Sequence, residues 1–163
     1  MAAHLLINSY NIIRRSGAAA RFGPGDLEGS RRYLLDELSR YKQEKQVRIT
    51  VVFDGGGGTS ITRERDRYRG VEVIYSKRGE TADQVIMETI RTRPSGLVVA
   101  TSDRAIIDEA KRHAVPFVTP DRLEAAIMGA DTGEEAGPRT DKKGNPRKAP
   151  KSLRQARRVI RKI

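Results

Sequence analysis

Short apolar runs alternate with longer amphipathic segments along most of this chain, and that alternation is what most limits the fold. Five runs are predicted to be strands, and they comprise residues 4–7, 47–53, 71–75, 97–100 and 116–118. Their short length and β-branched residues favour burial on both faces of a sheet. Strands separated by helices pair in parallel through right-handed crossovers. The sequence therefore predicts a three-layer α/β fold with an open parallel sheet of about five strands and helices on both faces.

Helical periodicity and capping signals mark the segments between the strands. Apolar residues recur at helical spacing in residues 27–45, at Leu27, Leu34, Leu35, Leu38 and Tyr41. Three further helices are predicted to start at Thr81 with Gln84, at Ser102 or Asp103, and at Thr119 with Pro120. The last of these helices is expected to end near Gly129.

Two polar stretches are predicted to be loops at one edge of the sheet. The quartet Asn8, Ser9, Tyr10 and Asn11 follows the first strand, and residues 54–70 follow the second. The glycine run 55–58 lacks the Lys-Ser/Thr ending of a phosphate-binding loop, so we expect it to form a flexible rim. Six arginines near these stretches are either solvated charges or phosphate contacts: Arg14, Arg15, Arg63, Arg65, Arg67 and Arg69.

Acidic residues follow three of the predicted strands: Asp54, Glu80 with Asp83, and Asp103. Ligands of open α/β sheets bind beyond the carboxyl ends of the strands, so these acids are expected to share one edge. Each acid alone has a plainer role as a cap or turn residue. Together they repel one another, and a hard divalent cation relieves that repulsion. We therefore predict Mg²⁺ or Mn²⁺, because a chain without Cys and with only two His offers little to zinc.

The positive charge of the chain is concentrated at its C-terminal end. Residues 138–163 contain eleven Lys or Arg and one acid, Asp141, whereas residues 1–137 contain 21 basic and 20 acidic residues. We predict a globular domain over residues 1–130 and a flexible linker with a basic tail over residues 131–163. Such a tail is expected to bind a polyanion, although it also resembles a solubilising segment.

The absence of cysteine excludes disulfides, thiolate metal sites and cysteine nucleophiles. It is typical of a reducing compartment, and we predict the cytoplasm. The apolar run near the start is too short to span a bilayer, and no basic region precedes it. No membrane partner is therefore expected.

Four motifs in the order LINSYNII, VVFDG, KRGETADQVI and VATSDR resemble the YacP-like group of NYN domains, relatives of the PIN-domain nucleases. The resemblance covers residues 4–128, and the pairing of GETAD with TSD is fairly specific. It implies a PIN-like sheet, hydrolytic cleavage of RNA, and Mg²⁺ or Mn²⁺ as the single small cofactor. By position, Asp54, Asp83 and Asp103 match acidic metal-site residues. Glu80 matches a nearby family Glu, and Asn11 and Ser102 match supporting residues.

The resemblance implies RNA as the partner, either structured RNA or RNA on the ribosome. The charge pattern then gives the candidate RNA-binding residues. They are Arg14, Arg15, Lys142, Lys143, Arg147, Lys148, Lys151, Arg154, Arg157, Arg158, Arg161 and Lys162. Leu153, Ala156, Ile160 and Ile163 share one helical face among these charges, so the tail is expected to fold on its partner. The oligomeric state stays open.

Asn8 is the main departure from the family pattern. The first motif of the family reads Asp-Gly-Tyr-Asn, whereas this chain has Asn8 at the acidic position. An amide still offers a carbonyl oxygen as a neutral metal ligand, but metal affinity falls with the lost charge. The leading hypothesis is a metal-dependent endoribonuclease. Asn8 leaves three alternatives open. The nuclease activity is weakened or lost, or the domain has become a non-catalytic RNA-binding or ribosome-associated factor. The third alternative is that the residue was altered to trap an inactive form. A nucleotide-binding protein or small-molecule phosphohydrolase is a third class.

Overall fold

The computed structural model describes residues 3–15, 25–55, 60–92 and 94–127. Its strands are β1 His4–Asn8, β2 Arg48–Phe53, β3 Glu64–Tyr68, β4 Val71–Tyr75, β5 Leu97–Ala100 and β6 Phe117–Val118. Its helices are α1 Ser9–Arg15, α2 Leu27–Lys45, α3 Ala82–Thr92, α4 Arg104–Arg112 and α5 Pro120–Ile127. The sheet order is β3-β4-β2-β1-β5-β6, with every pair parallel except β3 with β4. The predicted α/β class is confirmed, and the sheet is mixed and one strand larger than predicted.

The extra strand, β3, comes from the polar stretch that was predicted to be a loop. Four of its five residues are exposed, so it has no apolar face for a periodicity search to find. It is an edge strand that joins β4 through a two-residue turn at Arg69 and Gly70, whose φ angles are 45° and 87°. Two positive φ values are typical of the type I′ hairpin turn. Arg65 and Arg67 therefore lie on an edge strand and not in a loop.

The loop predicted after β1 is also absent. Asn8 is the last residue of the strand, and Ser9 is the first residue of α1. Ile12 and Ile13 of this helix are buried against the sheet. A helix of seven residues is too short to show a clear period, which is why the sequence pattern missed it.

Helices cover both faces of the sheet. Helices α1, α2 and α5 pack on one face, and α3 and α4 pack on the other. In β1, Leu5 and Ile7 enter the first core while Leu6 enters the second, so the three central residues of the strand are all apolar. The predicted apolar face of α2 is buried except for Leu27, which is 55% exposed because it begins the helix before α2 reaches the sheet.

The capping signals are confirmed. Thr81 and Gln84 bond each other's backbone N–H groups at 2.9 and 3.2 Å, and Asp103, rather than Ser102, caps α4. Thr119 Oγ1 accepts from Arg122 N at 3.4 Å at the start of α5. The predicted helix end at Gly129 lies outside the described residues. None of the helices in the described ranges has the length and apolarity needed to cross a membrane.

The strand order fixes where a site belongs. The chain places β2 and β4 on one side of β1 and then crosses through α3 to place β5 on the other side. The order therefore reverses between β1 and β5. Ligands of open α/β sheets bind beyond the strand ends at such a reversal, so a site is expected at the ends of β1 and β5.

Candidate active site

A buried amide lies beside a half-buried carboxylate at the end of β1. Asn8 is 2% exposed, and its Nδ2 donates to Asp83 Oδ1 at 2.9 Å. Because a carboxylate only accepts, this bond fixes the orientation of the amide. Asn8 Oδ1 is then buried with no hydrogen-bond partner among the described residues. A buried polar atom without a hydrogen bond lowers the stability of the fold by about 1–3 kcal/mol. A bound ligand or ion that contacts this oxygen would remove that cost.

Asp83 belongs to an electrostatically coupled group of acids. It lies in the first turn of α3, a helix that packs on β1 and β2. Burial raises the pKa of Asp83, and the charges of Asp103 and Asp54 raise it further, while the hydrogen bond from Asn8 acts in the opposite direction. The structure thus brings together the acids that follow three different strands. Their mutual repulsion favours an added positive charge at this edge.

Asp54 and Asp103 also hold helix N-termini. Asp54 Oδ1 accepts from Ala82 N at 2.6 Å, which ties the end of β2 to α3. Asp103 Oδ1 accepts from Ala105 N at 2.8 Å and from Ile106 N at 3.4 Å. Asp54 and Asp103 therefore do both things that the sequence suggested: each one bonds the N-terminus of a helix, and both lie at the edge of the sheet near Asp83. These contacts keep the two carboxylates in place without using any residue of β1.

A buried threonine connects α1 to the end of β5. Asn11 Nδ2 donates to Thr101 Oγ1 at 2.9 Å, and Asp103 N donates to the same oxygen at 3.0 Å. Thr101 is fully buried, so these bonds are shielded from water. The sequence predicted Asn11 and Ser102 as supporting residues; Asn11 makes the contact above, and Ser102 is half-buried between Thr101 and Asp103 in the chain. The missed signal was that Thr101 is the first polar residue after an apolar strand.

Glu80 has a cationic partner of its own. Arg63 donates to the two oxygens of Glu80 at 2.9 and 2.7 Å, and it also bonds Glu88. The bond from Arg63 lowers the pKa of Glu80. Asp83 is influenced by Asp54 and Asp103, and Glu80 is not among the groups that shift it. Glu80 therefore stabilises the loop after β4, and its role as a peripheral acid stays a prediction.

The donors at this edge suit a hard divalent cation. They are carboxylate oxygens and the unpartnered carbonyl oxygen of Asn8, the ligand types that Mg²⁺ and Mn²⁺ prefer. In the described part of the chain, no three His, Asp or Glu residues are grouped so that they hold a metal by themselves. Mg²⁺ keeps several waters and is usually bound through one or two carboxylates. The residues present therefore fit an ion held by Asn8, by Asp83 and through water.

The two histidines lie away from this edge. His4 Nε2 is 2.8 Å from Thr50 Oγ1 near the start of β1, at the opposite end of the strand from Asn8. His113 Nε2 is 3.2 Å from Glu109 Oε1 beyond the last residue of α4. The sequence-based argument against a zinc site with imidazole ligands therefore agrees with where the imidazoles lie.

An aromatic residue and an arginine lie on the helix that follows Asn8. Tyr10 is 50% exposed, and the guanidinium carbon of Arg14 lies 4.9 Å from the centre of its ring. The side chain of Arg15 and all the predicted RNA-binding residues of the tail lie outside the described residues. Of Arg14, Arg15 and the basic residues of the tail, Arg14 is thus the one whose side-chain surroundings the structure describes.

The ends of β2 and β4 approach closely at Gly55. Gly55 N donates to Ser76 Oγ at 3.0 Å, and a Cβ atom at Gly55 would lie 2.2 Å from Ser76 O. Of the glycine run that was predicted to be a flexible rim, Gly55 is thus packed, and residues 56–58 lie outside the described ranges.

We expect Gly55→Ala to lower the free energy of unfolding by about 1–3 kcal/mol, because the backbone must shift to admit the methyl group. Urea unfolding measures this change. Gly25→Ala is the matched control, because a Cβ atom there meets nothing within 4 Å. Equal stability of the two variants would contradict the close approach.

Comparison with known proteins gives one family and one fold. The YacP-like NYN domain family matches residues 5–162. Two solved structures are similar to this chain, both of Rae1 (YacP) from Bacillus subtilis. The W164L mutant has 23% identity and a TM-score of 0.66 over 78% of this chain and 76% of that chain. The other structure has 22% identity and a TM-score of 0.61 over 99% and 81%. No curated protein matches the chain.

Proposed function

The chain belongs to the YacP-like NYN domain family of the PIN-like nuclease superfamily, and from this premise we propose that it is a metal-dependent endoribonuclease weakened by Asn8. Its substrate is cytoplasmic RNA, structured or presented by the ribosome, and its reaction is hydrolysis of a phosphodiester bond. Asp83, Asp54 and Asp103 are the acids that we assign to catalysis, with Asn8 as a neutral ligand.

One observation carries this proposal: the unpartnered Asn8 Oδ1 lies at the end of β1 beside Asp83, an acid whose pKa is raised. Perturbed carboxylates at a strand-order reversal are typical of functional sites. A cation there satisfies the bare carbonyl oxygen and neutralises the repulsion that Asp54 and Asp103 exert on Asp83. A purely structural cluster would gain nothing from leaving that oxygen without a partner.

The residues of this chain then have distinct tasks. Asn8 and Asp83 would hold Mg²⁺ or Mn²⁺, which would supply an activated water and stabilise the charge that develops on phosphorus. The Asp83 carboxylate would supply the negative charge that attracts the cation, and the hydrogen bond from Asn8 Nδ2 orients that carboxylate. Asp54 and Asp103 are kept at the edge by backbone N–H groups of α3 and α4. Thr101 fixes the backbone at Asp103 and so positions that acid.

An RNA cleavage assay tests this function. The full chain is incubated with structured RNA in Mn²⁺ or Mg²⁺, and EDTA is the metal-free control. We expect weak, EDTA-sensitive cleavage that Asp83→Asn lowers by at least about tenfold, since even outer-shell changes at metal sites commonly cost this much and Asp83 is assigned as a direct ligand. Asp108→Asn, on the exposed surface of α4, removes the same charge elsewhere and should keep the activity. Cleavage that EDTA and Asp83→Asn leave unchanged would rule out the proposed site.

The second candidate is a non-catalytic RNA-binding factor on the same fold. It is favoured by the hydrogen bond from Asn8 Nδ2 to Asp83 Oδ1, because an amide N–H satisfies that carboxylate without any metal. An aspartate in the same place could not donate this bond when ionised. RNA binding without cleavage under every metal condition would favour this second function.

A further inference from the structure

A cleft lies beside the acidic edge, on the side of β2 and β4 away from β1. Its volume is about 320 Å³, and it is lined by Asp54, Glu64, Tyr75, Ser76, Lys77 and Arg78 among others. Sites for small ligands begin near 300 Å³, so this cleft has room for one small group and no more. Asp54 lines the cleft and also influences Asp83. A ligand in the cleft therefore lies next to the candidate active site.

An aromatic ring forms one wall. Tyr75 is half-buried and stacks on Phe53 with the ring centres 5.7 Å apart and an angle of 23° between the planes. Phe53 is buried, and the guanidinium carbon of Arg31 lies 5.3 Å from the centre of its ring. The ring of Tyr75 is thus held in place by Phe53, while part of the ring still faces the cleft. A rigid, partly open aromatic ring is the usual platform on which a nucleic-acid base stacks.

Two cations form the rim. Lys77 and Arg78 are both exposed, and no described acid lies within ion-pair distance of either one. They lie in a tight turn in which Glu80 N donates to Lys77 O at 3.0 Å and Gly79 has a φ of 76°. Exposed positive charges attract a phosphate.

The turn that carries these cations is anchored on two sides. Arg78 N donates to Ser60 O at 2.9 Å, and Glu80 is held by both nitrogens of Arg63. The carboxylate of Glu80, although it lines the cleft, is thus neutralised by Arg63. The catalytic proposal gives no role to the Arg63–Glu80 pair. Here the pair fixes the position of the turn that carries Lys77 and Arg78.

We propose that this cleft is a nucleotide subsite that holds one nucleotide of an RNA strand, with the base on Tyr75 and a phosphate on Lys77 and Arg78. The inference rests on the proposed function for the identity of the strand. Glu64, which pairs with Tyr75 across the two strands, offers a carboxylate to a base N–H. Each of the four RNA bases has at least one N–H donor, so the subsite accepts any base. It lies beside Asp54 and so sets which phosphate reaches Asp83.

Photocrosslinking tests the subsite without any need for catalysis. The full chain is mixed in EDTA with a uridine tetranucleotide that carries one 4-thiouridine. After irradiation and digestion, mass spectrometry locates the crosslinked residue. We expect a crosslink within residues 70–78. Crosslinks confined to other segments would overturn the subsite.

Variants add an affinity measurement with the same tetranucleotide. Tyr75→Leu should weaken binding by about tenfold, the lower range for loss of one base stack, while Tyr75→Phe should keep it. The double variant Lys77→Ala/Arg78→Ala should weaken it as well. Arg40→Ala/Lys45→Ala removes two charges from α2 instead and should leave affinity unchanged. If Tyr75→Leu fails to fold, the crosslink position and the Lys77/Arg78 variant still decide the question.

The subsite and the nuclease proposal fail in different ways. Metal-dependent cleavage with no crosslink in residues 70–78, and with unchanged affinity in the Lys77/Arg78 variant, would overturn the subsite alone. A crosslink there that is weakened by Tyr75→Leu, in a protein that never cleaves RNA, supports the subsite and overturns the nuclease.

Discussion

Replacing Asn8 by Asp is expected to tighten Mg²⁺ or Mn²⁺ binding and to raise metal-dependent RNA cleavage, each by about a hundredfold. Two unit charges about 4 Å apart attract each other by roughly 4 kcal/mol near a protein surface; a divalent ion attracts the carboxylate more strongly, and desolvation of the buried carboxylate removes part of this energy. A remainder of about 2.7 kcal/mol corresponds to the hundredfold change. The position suits the change because Asn8 Oδ1 is buried and has no partner in the described part of the chain.

The same substitution should destabilise the protein without metal. It removes the hydrogen bond from Asn8 Nδ2 to Asp83 Oδ1 and adds a like charge beside an acid whose pKa is already raised. Metal should then stabilise Asn8→Asp more than the present chain. We therefore expect Asn8→Asp to lower the melting temperature in EDTA and to raise it in excess Mn²⁺. Thermal unfolding under both conditions measures the two changes.

Gln43→Glu is the matched control for Asn8→Asp, because it adds the same charge on the exposed surface of α2. It should change neither metal affinity, measured by calorimetry, nor cleavage. If Asn8→Asp behaves like this control, with no tighter metal binding and no faster EDTA-sensitive cleavage, the acids are structural. The RNA-binding function would then replace the nuclease.

Deleting residues 138–163 is expected to weaken RNA binding by about a thousandfold at moderate salt and to flatten its dependence on salt. These residues contain eleven Lys or Arg and one acid, whereas the rest of the chain is almost neutral. Each phosphate contact releases counterions, so a protein that loses most of its net positive charge loses most of its salt dependence. The tail should add local concentration without selecting a sequence.

A salt series of binding titrations with full-length and truncated protein measures this effect. Because the family match reaches residue 162, a second variant of full length guards against loss of structure. It carries Gln in place of Arg154, Arg157, Arg158 and Arg161, and it should show an intermediate affinity and slope. An unchanged slope in both variants would mean that the body of the protein supplies the affinity.

Local sequence patterns predicted most of the strands, the helix caps and the type of sheet. The predicted strands and the capping residues Thr81, Asp103 and Thr119 lie where they were expected, because a cap or a buried strand depends on residues close together in the chain. The alternation of strands with helices then predicted the parallel sheet and the edge where its acids meet. The sequence alone also determined the charge of the tail and the lack of an acid at Asn8.

The tertiary structure decided the features that depend on distant residues. Strand β3 is charged and exposed, and it is a strand because β4 offers it a partner. Glu80 is held by Arg63, 17 positions away, and Asn8 bonds Asp83, 75 positions away. That last contact leaves Asn8 Oδ1 without a partner among the described residues, and no local sequence pattern predicts this contact. Periodicity reports which face of an element is buried, but only the packed sheet determines which side chains meet across it.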